Sequence, residues 1–249
     1  EDALLCDQDL RRKRRLDNIM APGGVDFFRD GQIAVVCRTM DAVYLYTAIG
    51  TFKTSFNCGP SPCGLAINSM NEIIVSDTGA KEVRFYDRDG KVQRRISRSG
   101  PNYELLWPLY LSLNAMDDVI ISDCHLQKVM AFDHKGRFKY DYNLRTHSGN
   151  QVLRPHGLCV NQDGDLFIID TAIDSMEVFQ CDGTYQQTIL PAEEGNNLRP
   201  KVTSISRDGT KLAIGGFKGA VRLYKFLPVE EDSSPDTKLS VKQEIKSEI

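Results

Sequence analysis

The chain is expected to fold as an all-β propeller of four-stranded blades, and three observations predict it. Five segments repeat one grammar: a proline, a short apolar strand, a polar turn, a stronger apolar strand, another turn, and a third strand ending in an aromatic. The lead prolines Pro22, Pro62, Pro108, Pro155 and Pro200 stand 40, 46, 47 and 45 residues apart, the span of one four-stranded blade. The second strand of each repeat is a near-continuous apolar run, as a strand covered on both faces must be. One blade cannot cover its own faces, so blades must stack.

Blade one begins at Pro22-Gly23-Gly24-Val25, passes Ile33-Ala34-Val35-Val36 and leaves through Val43-Tyr44-Leu45-Tyr46. Blade two runs from Pro62-Cys63-Gly64-Leu65 through Ile73-Ile74-Val75-Ser76-Asp77 to Val83-Arg84-Phe85-Tyr86-Asp87. Blade three starts at Pro108 and passes Val119-Ile120-Ile121-Ser122-Asp123 to Val129-Met130-Ala131-Phe132-Asp133. Blade four starts at Pro155 and passes Leu166-Phe167-Ile168-Ile169-Asp170 to Met176-Glu177-Val178-Phe179. Blade five starts at Pro200 and passes Leu212-Ala213-Ile214-Gly215-Gly216 to Val221-Arg222-Leu223-Tyr224. The third strands alternate, as Val83-Arg84-Phe85 does, which suits a half-covered position. Asp89-Gly90, Lys135-Gly136, Asp163-Gly164, Asp182-Gly183 and Asp208-Gly209 supply the positive φ of tight hairpins. About 20 strands and almost no helix follow.

The fifth repeat shows three strands and then stops at Phe226-Leu227-Pro228. Ahead of Pro22, Ala3-Leu4-Leu5-Cys6 is a short strand candidate, expected to lie beside Val221–Phe226 and close the ring. The other reading is a helix over residues 3–19, on which Leu5, Leu16 and Ile19 form no clean stripe. The expected division is a closing strand and basic loop over 1–21, a propeller over 22–227, and a disordered acidic tail over 228–249. That tail holds Val241-Lys242-Gln243-Glu244 and Ile245-Lys246-Ser247-Glu248, which match the hydrophobic-Lys-x-Glu pattern of SUMO attachment at Lys242 and Lys246.

Pro155-His156-Gly157-Leu158, Ile121-Ser122-Asp123 and Phe132-Asp133 resemble NHL repeats, whose pattern is Pro-x-Gly-hydrophobic, then an apolar strand ending in Ser/Ala-Asp, then a strand ending in Phe-Asp. The ending Val221-Arg222-Leu223-Tyr224-Lys225-Phe226 resembles the terminal strand of the NHL domain in TRIM-NHL proteins. The resemblance covers residues 20–227. Such domains usually have six blades and five are visible here, so either this ring is smaller or a divergent sixth blade was lost upstream. The resemblance implies an NHL-type propeller and a parent protein that represses messenger RNA, with a RING ubiquitin-ligase module as a further implied part of that parent.

Hydrophobic residues at 41% and charged residues at 26% suit a globular domain. The net charge of −3 belongs to residues 228–249, so the body is neutral. That excludes an overall basic nucleic-acid binder but leaves room for a local basic face. No apolar run of about 18 residues offers a membrane helix, and no basic-then-apolar leader opens the chain. A cytoplasmic location is expected. The run Arg11-Arg12-Lys13-Arg14-Arg15 reads as nuclear access, as part of a basic face, or as a solvated loop balanced by Asp7, Asp9 and Asp17. The seven cysteines are odd in number and lack a C-x-x-C pair, which reads as free thiols and gives no zinc spacing. His125, His134, His147 and His156 form no cluster, and there is neither a G-x-S-x-G elbow nor a Gly-rich phosphate loop. The chain is therefore expected to be a binding domain and not an enzyme, with no catalytic residue, metal or cofactor.

The binding residues are expected around each lead proline and in the turn after each second strand. Those positions hold Arg38, Lys81, Trp107, Tyr110, His125, Lys128, Arg154, His156, Arg199, Lys201, Phe217 and Lys218. Asp77, Asp123 and Asp170 recur at one blade position, as side chains that cap turn amides do. What remains is a basic face with aromatics interleaved. Cations meet phosphates and rings stack bases, so single-stranded RNA is the expected partner. The alternative is a protein-interaction propeller that recruits substrates or partners to a RING-type E3 ubiquitin ligase.

Overall fold

The computed structural model describes residues 3–6, 12–97, 104–142, 144, 154–190, 198–217, 219–226 and 241–247. Its elements among these residues are all strands, gathered into five four-stranded antiparallel sheets and one two-stranded sheet. The five large sheets are the five blades of a β-propeller. The chain divides into two compact units, Glu1–Asp141 and Tyr142–Ile249.

The first unit opens with the hairpin β1 (Leu4–Cys6) and β2 (Arg12–Arg15). Blade one follows as β3 (Pro22–Phe27), β4 (Ile33–Cys37), β5 (Ala42–Tyr46) and β6 (Phe52–Asn57). Blade two is β7 (Pro62–Ile67), β8 (Ile73–Asp77), β9 (Glu82–Tyr86) and β10 (Val92–Ile96). Blade three is β11 (Pro108–Leu113), β12 (Val119–Asp123), β13 (Lys128–Phe132) and β14 (Phe138–Tyr142), ending at the unit boundary. Every residue of β4, β8 and β12 is buried, which is why these strands read as unbroken apolar runs. Ala34, Val36, Val43 and Leu45 pack on Leu65, Ile73 and Val75 between blades one and two. Ile74, Val83 and Phe85 pack on Val119, Ile121, Met130 and Phe132 between blades two and three.

The second unit holds blade four, with β15 (Pro155–Val160), β16 (Leu166–Asp170), β17 (Ser175–Phe179) and β18 (Tyr185–Leu190). Blade five is β19 (Pro200–Ile205), β20 (Lys211–Gly216), β21 (Val221–Phe226) and β22 (Val241–Ser247). Phe167, Ile169, Met176 and Val178 meet Leu212, Ile214 and Tyr224 between them. A shift of register follows the lead proline in the first strand of every blade. The glycine of the Pro-x-Gly pattern has a steric reason in blade four. A Cβ on Gly157 would lie 2.5 Å from Val202 Cα and 2.6 Å from the Lys201 carbonyl oxygen, so only glycine lets these backbones touch.

Blade five is completed differently from the expectation. Ala3-Leu4-Leu5-Cys6 does not lie beside β21; its β1 strand pairs with β2 in a sheet of its own. The outer strand of blade five is instead β22, paired to β21 from Val221↔Ser247 to Phe226↔Val241. The segment expected as a disordered tail therefore carries a strand at 241–247, while 227–240 lie outside the described residues. The reason is legible in residues 5–16, which repeat the outer half of blade two. Leu-Cys-Asp-Gln-Asp-Leu-Arg-Arg-Lys-Arg-Arg-Leu stands against Phe-Tyr-Asp-Arg-Asp-Gly-Lys-Val-Gln-Arg-Arg-Ile at 85–96. The N-terminal segment thus carries its own hairpin partner. Leu16 takes the place of Ile96, and both are buried. Leu16 and Ile19 close over Ile33, Val35, Cys37 and Tyr46, and the Tyr46 hydroxyl donates to the Asp17 carbonyl at 2.8 Å.

Candidate functional site: the loop ends of the blades

In four blades one backbone bond ties the loop after the second strand to the residue before the lead proline. Arg38 N donates to Ala21 O at 3.1 Å, Thr78 N to Ser61 O at 3.0 Å, Thr171 N to Arg154 O at 3.1 Å, and Phe217 N to Arg199 O at 3.1 Å. The two expected binding positions therefore share one end of each blade. The aspartate that closes the second strand organises that end. Asp77 Oδ1 accepts from the amides of Ser61, Gly79 and Ala80 at 3.2, 3.0 and 2.9 Å. Asp123 accepts from His125 and Leu126 on Oδ1 and from Leu106 and Trp107 on Oδ2. Asp170 Oδ1 accepts from Arg154 and Ala172 at 3.1 and 2.8 Å. These carboxylates hold turns and are not open surface charge.

In the second unit the expected residues gather. Phe217 is 49% exposed. The Arg199 guanidinium lies 5.5 Å and the Lys201 ammonium 4.7 Å from its ring centre, both within cation–π range. Arg199 sits at φ +44°, a left-handed conformation uncommon for a residue with a Cβ. Arg154 is exposed at the matching place in blade four. His156 is half-buried, and burial with Lys201 and Arg154 nearby pushes its imidazole down to about 4. It is therefore neutral at neutral pH and does not act as the phosphate-holding cation its residue type suggests. Lys218 lies outside the described residues.

In the first unit the expected residues fall into separate groups. Trp107, 41% exposed, stacks on His125 with ring centres 4.7 Å apart and planes 23° apart. One carboxylate, Asp123, holds the backbone amides of both. Tyr110 is half-buried on β11, and burial pushes its phenol up to about 12, with the Arg38 charge opposing. Lys128 is ion-paired with Asp141 across β13 and β14, so its charge is already answered within the blade. Arg38 and Lys81 are exposed, the latter at φ +57° in the turn before β9.

Sequence reasoning missed the buried acids beneath these loops. In blade two the Arg84 guanidinium lies 3.4 Å from Asp77 Oδ2, pairs with Glu82, and donates to the Cys58 carbonyl at 2.9 Å. Blade four has Glu177 at that strand position, since Ile168 faces Glu177 as Val75 faces Arg84. Asp170 and Glu177 are 4% and 6% exposed. Burial and Asp170 together push Glu177 up to about 7, and burial raises Asp170 as well. The available signal was one acid inside the apolar run Met176-Glu177-Val178. Among the described residues no three His, Cys, Asp or Glu side chains converge on a metal-sized site, and no helix is long and apolar enough to cross a membrane.

No family model matches the chain, and no curated protein matches it. Solved structures do match. A streptogramin B lyase aligns with a TM-score of 0.70 at 14% identity, over 100% of this chain and 76% of that one. Virginiamycin B lyase from Staphylococcus aureus aligns at 0.69 and 12% identity, over 100% of this chain and 78% of that one. The Cps50 (Swd1) β-propeller domain from Myceliophteria thermophila aligns at 0.65 and 11% identity, covering 91% of this chain and 72% of that one. At these identities the likeness is one of fold, and the class it supports is a five-bladed β-propeller. The TRIM-NHL resemblance is not shown by these comparisons. The expectation that the chain is not an enzyme is corrected, because two of these three neighbours are lyases and the fold carries catalysis as well as binding.

Proposed function

We propose that the loop ends of blades four and five bind single-stranded RNA, of the messenger class that the repeat resemblance implies. One observation carries the reading: Arg199 and Lys201 flank a half-exposed Phe217 within 5.5 Å. A ring with an open surface stacks a base, and the two cations beside it meet the phosphates on either side of that base. Arg154 adds a third cation at the same end of the neighbouring blade. Trp107 on His125 offers a second stacking surface within the first unit. With three cations engaged, log affinity should fall against log salt with a slope of roughly −2, from about −0.7 per phosphate on single strands. Replacing Arg199 and Lys201 together by Ala should flatten that slope. Replacing Phe217 by Ala should cost ~1–3 kcal/mol of binding with the slope kept, because stacking releases no counterions.

A filter-binding titration with uridine-rich and mixed oligonucleotides reads both effects. Binding weaker than micromolar, or indifferent to the Arg199/Lys201 change, would sink the RNA reading. It would also promote protein docking, in which the propeller recruits partners of a RING-type ligase. Exposed Met20 and Met40 beside Arg38 on blade one favour that second reading, since flexible thioethers suit an adaptable protein contact.

A further inference from the structure

Blades two, three and four each end the second strand in an aspartate, and its Oδ2 is answered in three ways. In blade three Asp123 Oδ2 accepts the amides of Leu106 and Trp107 at 2.8 and 2.9 Å. In blade two Asp77 Oδ2 is also buried without a hydrogen bond among the described residues, but it is ion-paired with the Arg84 guanidinium at 3.4 Å. In blade four Asp170 Oδ2 is buried with no hydrogen-bond partner among the described residues, and Glu177 stands where the arginine would be. The two carboxyls border one cavity of about 10 Å³, whose other walls are Leu144, Pro155, Ile168 and Phe179. Two acids thus share an apolar recess at the position where blade two keeps a cation.

Three answers to that charge can be weighed by size and chemistry. A hard metal ion needs about six oxygen ligands, and these walls supply two carboxyls and hydrocarbon. A guanidinium from another chain does not fit a space that holds a single water at most. A proton fits, and a protonated carboxyl is also the donor that Asp170 Oδ2 lacks, directly or through that one water.

We propose that blade four is proton-gated: Glu177 carries a hydrogen that does the work of Arg84 in blade two, and its loss loosens the Asp170 turn that holds Arg154. The step is transfer of the Glu177 carboxyl proton to solvent, with no other bond made or broken. Burial and Asp170 place that loss at about 7, inside the physiological range. Among the described residues, the charged groups acting on the pair are Arg154, which opposes the rise of Asp170, and Asp170, which raises Glu177. Across β18 Glu177 faces Thr188, which does not titrate. Lys201 and Arg154 act on His156 next to the lead proline. The output is the Arg154 amide, because Asp170 Oδ1 holds it and the Ala172 amide. Two like charges in one recess push Asp170 away from that turn, and Arg154 gains freedom at the loop end.

Amide hydrogen exchange on the full chain tests this without any ligand, so its outcome is separate from that of the RNA reading. Between about pH 6 and about pH 8.5, protection at Arg154 and Ala172 should fall about tenfold beyond the intrinsic pH effect. Protection at Ser61, Gly79 and Ala80 around Asp77 should stay level. Glu177→Gln, which keeps a neutral donor, should abolish the fall. An infrared band of a protonated carboxyl should be present near pH 6 in the unmodified chain and absent in that variant. A fall of equal size in Glu177→Gln, no fall at all, or no such band in the unmodified chain would each overturn the proposal. The band and the exchange profile of the unmodified chain decide the matter even where the variant fails to fold.

Discussion

Blades two and four share a backbone plan and differ in how a buried charge is answered. Each has a lead proline opposite a terminal aspartate, Pro62↔Asp77 and Pro155↔Asp170, and each uses that aspartate to accept turn amides. One strand further out, Arg84 and Glu177 hold the same register position. Blade two therefore closes its acid with a permanent cation, and burial costs are offset by Coulomb attraction and by the bonds to Glu82 and the Cys58 carbonyl. Blade four closes its acid with a group that titrates. The repeat specifies where side chains stand. The residue at one site decides whether that part of the molecule is indifferent to pH or governed by it.

The largest expected effect comes from breaking the fixed pair. Arg84→Met leaves Asp77 buried and uncompensated, with Glu82 beside it, and should cost about 3–5 kcal/mol in urea denaturation. A loss under 1 kcal/mol would show that water reaches Asp77 and that the two blades differ less than their residues suggest. Next is Glu177→Gln. Glu177 goes from an ordinary 4.5 to about 7 on folding, so the folded state holds the extra proton. Its stabilising influence is complete below about 4.5 and is lost as pH rises through 7. The variant should thus gain roughly 3 kcal/mol over the unmodified chain above pH 7 and nothing near pH 4.5. His156 has the opposite sign, because its imidazole drops from 6.5 to about 4 on folding. The stability it allows is complete above 6.5 and lost as pH falls through 4. The two nearly cancel in the unmodified chain, so the curve to measure is the difference between chain and variant, in which His156 drops out.

The fold was legible because propeller strands announce themselves. Four all-buried second strands cannot alternate, and evenly spaced prolines cannot arise from unrelated turns. The edges were not legible. Completing blade five is a pairing between β21 and a polar strand at 241–247, and nothing in Val241-Lys242-Gln243 signals a strand in the way Ile168-Ile169 does. The hairpin at 4–15 was legible in principle, through the match of residues 5–16 to 85–96, but the run of five basic residues hid it. At the candidate site the loop positions were readable from spacing, because a single backbone bond fixes them in blade after blade. Roles were not. Whether a histidine is charged depends on its burial beside Lys201, and whether Lys128 is open depends on Asp141 across the strand.

The close contact that positions Lys201 sharpens the comparison at a smaller scale. A Cβ at Gly157 would stand 2.5 Å from Val202 Cα, whereas one at Gly64 meets the Leu109 carbonyl oxygen and Ser76 Oγ at 3.0 Å. Gly157→Ala should therefore destabilise by ~1–3 kcal/mol, as overpacking against backbone does. Gly64→Ala should cost visibly less, since its neighbours, the backbone of Leu109 and Tyr110 and the Ser76 hydroxyl, stand at 3.0–3.1 Å and need give only by a few tenths of an ångström. Thermal melts of the two variants side by side check the ranking. The reverse order would mean that the blade four to blade five contact gives more easily than the blade two to blade three contact.

The smallest expected effect sets an exposed arginine–aspartate pair against the buried one. Arg88 Nη1 lies 2.8 Å from Asp30 Oδ2, closer than the 3.4 Å between Arg84 and Asp77. By distance alone Arg88 would matter more. Its side chain is 38% exposed and that of Asp30 44%, while Arg84 and Asp77 are 14% and 1% exposed. Water answers the charges of the outer pair whenever the bridge opens, and dissolved ions screen what attraction is left. The bridge holds the Asp30 carboxyl below its usual range, yet both side chains stay open to water. Arg88→Met should then leave the melting temperature within error of the parent at about 0.5 M salt, where screening acts over a few ångströms. It should show at most a slight loss at low salt, part of it from the packing of the guanidinium over the Phe28 ring at 4.1 Å. A salt-independent loss comparable to that of Arg84→Met would mean that Arg88 acts through its contact with Phe28. The contrast between answered and unanswered charge would then have to be drawn on packing instead.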